Sequence, residues 1–130
     1  MLRGLTTVSF YADDLDAASS WYAEVLGIPP YFARPGYVEF RVGDSEDELG
    51  IIDRRYAPRP APPGGAIVYW HVDDLAAAIS RLRSLGAEEY EPMREHGPGF
   101  VTASVVDPFG NVLGVMVNRH YLEVLEGPRP

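Results

Sequence analysis

Apolar and polar positions alternate along Thr7-Val8-Ser9-Phe10-Tyr11-Ala12, and the run stops at Asp13-Asp14-Leu15. Sixty positions on, Ile67-Val68-Tyr69-Trp70-His71-Val72 alternates in the same way and stops at Asp73-Asp74-Leu75. A period of two is the pattern of a strand with two unlike faces. After each Asp-Asp-Leu the period changes. Leu15, Ala18, Tyr22, Val25 and Leu26 recur at spacings of three and four up to Gly27, and Leu75, Ala78, Ile79, Leu82 and Leu85 do so up to Gly86. These spacings predict amphipathic helices with one buried stripe. The acidic pairs supply N-cap oxygens, and the glycines suit a left-handed C-cap.

The echo continues downstream. Glu48-Leu49-Gly50-Ile51-Ile52 matches Val112-Leu113-Gly114-Val115-Met116 at a distance of 64 positions. Each is preceded by a strand-like run, Tyr37 to Val42 and Phe100 to Val106. Turn-forming residues separate the strands, Gly43-Asp44-Ser45 in one half and Asp107-Pro108-Phe109-Gly110-Asn111 in the other. Less regular runs at Tyr31–Ala33 and Glu88–Glu95 add one strand to each half. The chain therefore reads β-α-β-β-β twice, an α+β domain with unit one at about 4–54 and unit two at about 66–118. Residues 55–65 hold four prolines and two glycines and read as a semi-rigid linker. In the tail, 119–130, the residues Tyr121, Leu122, Val124 and Leu125 suit a short docking helix.

The 130 residues are enough for one domain with a core that needs no staples. There is no cysteine, hence no disulfide, thiolate nucleophile or Cys-based metal site. No apolar run is long enough to cross a membrane, and no secretory leader is visible, so a cytoplasmic protein without membrane attachment is expected. All 11 basic residues are Arg, against 19 acidic ones, for a net charge of −8. That excess opposes nucleic-acid binding. It either attracts a cationic ligand or only keeps the protein soluble.

The duplicated unit, its strand-Asp-Leu-helix-Leu-Gly openings and the Asp107-Pro108-Phe109-Gly110-Asn111 turn resemble the vicinal oxygen chelate superfamily. This is the group of glyoxalases, bleomycin resistance proteins and extradiol dioxygenases. The resemblance covers roughly residues 4–118. It implies that the two βαβββ units form an open, cup-shaped barrel of mixed sheet around a ligand cleft, with helices outside, and that homodimers form. In metal-dependent members, His, Glu or Gln on the first and last strand of each unit hold a divalent ion. The positions that match here are Thr7, Gly50, Ile67 and Gly114. None carries a usual metal-ligand side chain, and a register slip by one brings in none either. No metal and no other cofactor is expected.

Alternation then assigns the cleft lining. Thr7, Ser9 and Tyr11 share one face, as do Ile67, Tyr69 and His71. Gly50, Ile52, Val112, Gly114 and Met116 join them, with Tyr37, Glu39 and Arg41 from the third strand. In unit two polarity favours Thr102 and Ser104 on this face, although the 64-residue offset favours Val105. The opposite face, with Phe10, Leu49, Ile51, Trp70, Leu113 and Val115, suits packing under the helices.

Each candidate has two readings. His71 is an acid–base group, since its ordinary pKa lies near neutrality, or a strand-end histidine hydrogen-bonded to a neighbour. Glu39 orients a cation or acts as a base, or pairs with Arg41. Tyr11, Tyr37 and Tyr69 stack on a planar or cationic ligand, or pack the wall. Gly50 and Gly114 leave floor space for a ligand, or mark sites that tolerate small residues. Three functions follow. The first is metal-free binding of a small, cationic or aromatic molecule, including drug or toxin sequestration. The second is a lyase, isomerase or dioxygenase-like reaction using His71 and Glu39 or a non-standard metal site. The third is partner binding with a filled cleft.

Overall fold

The computed structural model describes residues 1, 3, 5–57 and 65–127. Most of the proline-rich linker and the last three residues lie outside that range. Two compact units emerge, Met1–Pro62 with Phe109–Asn111, and Pro63–Pro108 with Val112–Pro130.

Unit 1 runs β1 (Thr7–Ala12), α1 (Leu15–Leu26), β2 (Phe32–Arg34), β3 (Tyr37–Val42) and β4 (Asp47–Asp53), followed by a 3-10 turn at Arg54–Tyr56. Asp14 caps α1 by accepting from the Ala17 N–H at 3.0 Å. Gly27 ends it at φ 69°, where a side chain would be strained. The sheet order is β1-β4-β3-β2, with β1 parallel to β4 and the other pairs antiparallel. One face of this sheet, carrying Phe10, Ala12, Val38, Phe40, Leu49 and Ile51, is buried together with Ala18 and Tyr22 of α1. Tyr22 packs against Phe10 at 5.9 Å and against Trp21 at 4.8 Å between ring centroids.

The Phe109–Asn111 stretch of the predicted turn belongs to this unit. Phe109 meets Trp21 edge-on at 6.2 Å. The Asn111 side chain accepts from the Tyr11 N–H at 3.1 Å and donates to the Tyr11 carbonyl at 2.9 Å, so its amide substitutes for a neighbouring strand. Arg54 donates to the Phe109 carbonyl at 2.6 Å and pairs with Asp13 at 3.0 Å.

Unit 2 repeats the plan with β5 (Tyr69–His71), α2 (Leu75–Ser84), β6 (Glu88–Gly97), β7 (Phe100–Val106) and β8 (Val112–Asn118), then α3 (Arg119–Glu126). Asp74 caps α2 as Asp14 caps α1. The order β5-β8-β7-β6 has β5 parallel to β8. Leu75, Leu82, Ala87, Ala103, Val105, Leu113 and Val115 form its core. The fold is thus α+β, two four-stranded mixed sheets with three helices among the described residues, as the duplication predicts.

Three elements differ from expectation. β5 starts at Tyr69 rather than Ile67, although the Val68 carbonyl still accepts from the Gly114 N–H at 3.0 Å. β6, expected as a weak strand, is the longest, because its irregularities are absorbed as register shifts against β7. The connection from Ser104 to Gly114 is one residue shorter than that from Glu39 to Gly50, which resolves the offset in favour of polarity. Thr102 and Ser104 lie opposite Met116 and Gly114, and Val105 is buried on the other face.

Candidate functional site

In unit 1 the register sets the predicted residues in rows across one sheet face. Thr7, Glu48 and Arg41 form the first row; Ser9, Gly50, Glu39 and Phe32 the second; Tyr11, Ile52, Tyr37 and Arg34 the third. The eight residues assigned to this face from sequence are therefore side by side. Glu39 sits at the centre and is only 9% exposed. Its carboxylate accepts from the Tyr37 hydroxyl at 2.8 Å and lies 3.7 Å from Arg41 Nε. Burial, then the bond to Glu39 and its charge, push the Tyr37 phenol up to about 12. The arginines have aromatic seats of their own, Arg41 at 4.0 Å over the Tyr31 ring and Arg34 5.7 and 5.8 Å from Phe32 and Tyr37. Thr7 donates to Glu48 at 2.8 Å.

Unit 2 has corresponding rows. Tyr69, Gly114, Ser104 and Glu91 make one; His71, Met116, Thr102 and Arg94 make the next. Ile67 lies half-buried ahead of the strand and outside these rows. Glu91 accepts from Tyr69 at 3.4 Å and from Ser104 at 3.3 Å, at the same oxygen. Burial, then the Glu91 charge, raises the Tyr69 pKa as well. His71 is covered. Its ring stacks on Tyr121 of α3 at 4.7 Å and 14°, and its Nδ1 accepts from the Asn118 N–H at 3.2 Å. A nitrogen that accepts cannot carry a proton, so the neutral ring is the Nε2–H tautomer. The Nε2 has no hydrogen bond among the described residues and faces Asp73 at 3.4 Å.

The glycines show why both last strands need them. A Cβ on Gly50 would stand 2.6 Å from the Tyr37 hydroxyl, and one on Gly114 would stand 2.6 Å from Tyr69 Cδ1 and 2.7 Å from the Val68 carbonyl. In each unit a tyrosine lies over the glycine and hands its hydroxyl hydrogen to a glutamate. The space is taken by the chain itself.

That observation also tests a divalent ion at the four matched positions. Thr7 offers a hydroxyl already bonded to Glu48, Ile67 offers no donor, and the two glycines are overlaid by rings. These residues do not fit a metal there. No cluster of three His, Asp or Glu suited to an ion occurs among the described residues.

A cavity of about 180 Å³ opens on the unit 2 face, lined by Tyr69, Glu91, Pro92, Arg94, His96, Phe100, Thr102 and Met116. Five of these, Glu91, Pro92, Arg94, His96 and Phe100, were not assigned to the cleft from sequence. The signal available for the β6 residues was Pro92 inside a strand-like run, which marks a bulge. Glu48 was missed too, though stepping back two positions from Gly50 finds it.

A sequence profile of the Glyoxalase/Bleomycin resistance protein/Dioxygenase superfamily matches residues 4–115. The chain belongs to this superfamily. Solved structures agree on the fold. The lactoylglutathione lyase from Agrobacterium tumefaciens shares 25% identity at TM-score 0.65, over 89% of this chain and 94% of that one. The bleomycin resistance determinant encoded on transposon Tn5 shares 24% at TM-score 0.65, over 89% and 98%. A glyoxalase-related enzyme from Fulvimarina pelagi shares 20% at TM-score 0.70, over 90% and 89%. No curated protein matches. The superfamily thus spans a lyase and a drug-resistance determinant at comparable distance from this chain, and the choice between binding and catalysis falls back on its own side chains.

Proposed function

We propose that this superfamily member binds a small molecule without a metal ion, on the polar and aromatic sheet face. The observation that carries the reading is the unit 2 cavity, where the aromatic and apolar surfaces of Tyr69, Phe100 and Met116 meet the polar groups of Glu91, Arg94, His96 and Thr102. The poor fit of Thr7, Gly50, Ile67 and Gly114 to an ion supports the metal-free part. Of the ligand classes expected from sequence, an aromatic one keeps the better support. Of the three tyrosines assigned from sequence to a planar or cationic ligand, Tyr37 already has Arg34 5.8 Å from its ring, and the nearby rings of Tyr31 and Phe32 carry Arg41 and Arg34.

The acid–base candidates of the enzymatic reading are both engaged. Glu39 is held by Tyr37 and Arg41, and His71 lies under Tyr121 with Nδ1 occupied. This favours binding over turnover.

The test joins metal analysis of the purified protein to a thermal-shift screen of aromatic compounds, natural-product antibiotics included. A ligand at a hundred times its Kd adds about 2.7 kcal/mol to native stability. The expected result is no stoichiometric transition metal and at least one stabilising compound. One tightly held transition metal per chain, or a screen in which no compound stabilises, overturns the reading.

A further inference from the structure

We infer that the unit 2 cavity receives an organic carboxylate with an aromatic body, its anionic head on Arg94. The inference rests on the binding function proposed above and names the ligand's chemistry. It starts from a backbone irregularity. Alternation along a strand would send residues 91 and 94 to opposite faces, because three steps separate them. Between Glu91 and Arg94 the pairing with β7 shifts, so Glu91 lies opposite Ser104 while Arg94 lies opposite Thr102. Three residues of β6 therefore span two of β7. Pro92, which has no N–H to give to the ladder, sits within this bulge. The bulge turns Arg94 to the face that holds Glu91, and His96 two residues further follows it. Bulges characteristically re-aim a side chain in this way near sites.

The charges at the cavity are committed unequally. One Glu91 oxygen accepts from both Tyr69 and Ser104. His96 exchanges a hydrogen bond with Thr102 at 2.9 Å and tilts against Phe100 at 5.0 Å. Arg94 has no hydrogen bond, ion pair or ring contact among the described residues. Its planar fork of donors matches a carboxylate in two parallel bonds. Beside it stand Phe100, a residue 42% exposed, and the thioether of Met116. Such surfaces take an aromatic ring. At about 180 Å³ the cavity is smaller than the roughly 300–1,000 Å³ of drug-sized sites, which points to a single-ring ligand.

The experiment uses three matched probes on the full chain: phenylacetate, its neutral amide phenylacetamide, and the cation phenethylamine, each titrated by calorimetry. Phenylacetate is expected to bind at least tenfold more tightly than either analogue. Arg94→Gln removes that preference, Arg94→Lys restores part of it, and Arg83→Gln on the exposed side of α2 leaves it unchanged. Equal or tighter binding of the amide or amine overturns the carboxylate assignment while leaving small-molecule binding standing. Unaltered phenylacetate affinity in Arg94→Gln, or no phenylacetate binding at all, overturns it as well. The broader reading fails separately, by a tightly held transition metal or by a compound screen that finds no ligand.

Discussion

Gly50→Ala isolates the contact between a glycine and the tyrosine above it. The added methyl would lie 2.6, 2.8 and 3.1 Å from the hydroxyl oxygen, Cε1 and Cζ of Tyr37. Tyr37 must swing away, and its 2.8 Å hydrogen bond to Glu39 goes with it. Glu39 is 9% exposed and would keep only Arg41 at 3.7 Å. A hydrogen bond to a charged group contributes about 1.5–3 kcal/mol. Against this, alanine in a strand gains roughly 0.5–1 kcal/mol over glycine. The balance is a net loss of about 1–2 kcal/mol. Urea unfolding at neutral pH should show it as a lower midpoint with an unchanged slope. The decisive measurement is the same substitution in a Tyr37→Leu background. With the hydroxyl and ring gone the backbone gain stands alone, so Gly50→Ala should turn slightly stabilising there. Equal cost in both backgrounds, or no cost in the parent, would refute the account.

Gly114→Ala should cost more, above about 2 kcal/mol, because one neighbour of the new methyl is the Val68 carbonyl at 2.7 Å and a backbone cannot rotate aside; a midpoint shift smaller than that of Gly50→Ala would contradict this. The Tyr37 phenol is raised from 10.0 to about 12, so the fold favours its neutral form. That contribution is complete below pH 10 and is lost as pH rises through about 12, so stability should fall more steeply across this window in the parent than in Tyr37→Phe. Asn111→Ala removes both amide bonds to the Tyr11 backbone and should cost about 1–3 kcal/mol by thermal or urea unfolding. Nitrogen-detected NMR of His71 at high pH should report the proton on Nε2; the Nδ1–H form would show that Asn118 does not bond the ring.

Much of the fold was legible because two periodicities change at a shared signal. The strand pattern stops at Asp-Asp-Leu in both halves, and Asp14 and Asp74 do cap the helices that follow. The unit 1 face was also legible, since β1, β3 and β4 pair without a slip, and stepping by two finds every row. Unit 2 was not, for a definite reason. β6 shifts register three times against β7, and after a bulge the parity of positions no longer tells the face. Glu91, Arg94 and His96 were invisible to alternation for that reason. The cover over His71 was beyond reach from local pattern, because Tyr121 arrives from a helix fifty positions downstream.

The repeated glycines are better explained by their neighbours than by an empty floor. Unit 1 brings its tyrosine over Gly50 from β3, and unit 2 brings one over Gly114 from β5, so two different strands reach one arrangement. In both, the hydroxyl ends on a glutamate that would otherwise face the sheet without it. The arrangement locks itself. A histidine or glutamate introduced at position 50 or 114 would have to displace a ring, and the displaced ring would release a carboxylate from its donor. A metal-ligating side chain therefore cannot be introduced at either position by one substitution without displacing that ring. Gly50→His alone should lose stability without gaining zinc affinity, whereas Gly50→His with Tyr37→Ala has room for the imidazole. If the single variant gains zinc affinity while keeping the parent's unfolding midpoint, Tyr37 is not what holds that position closed.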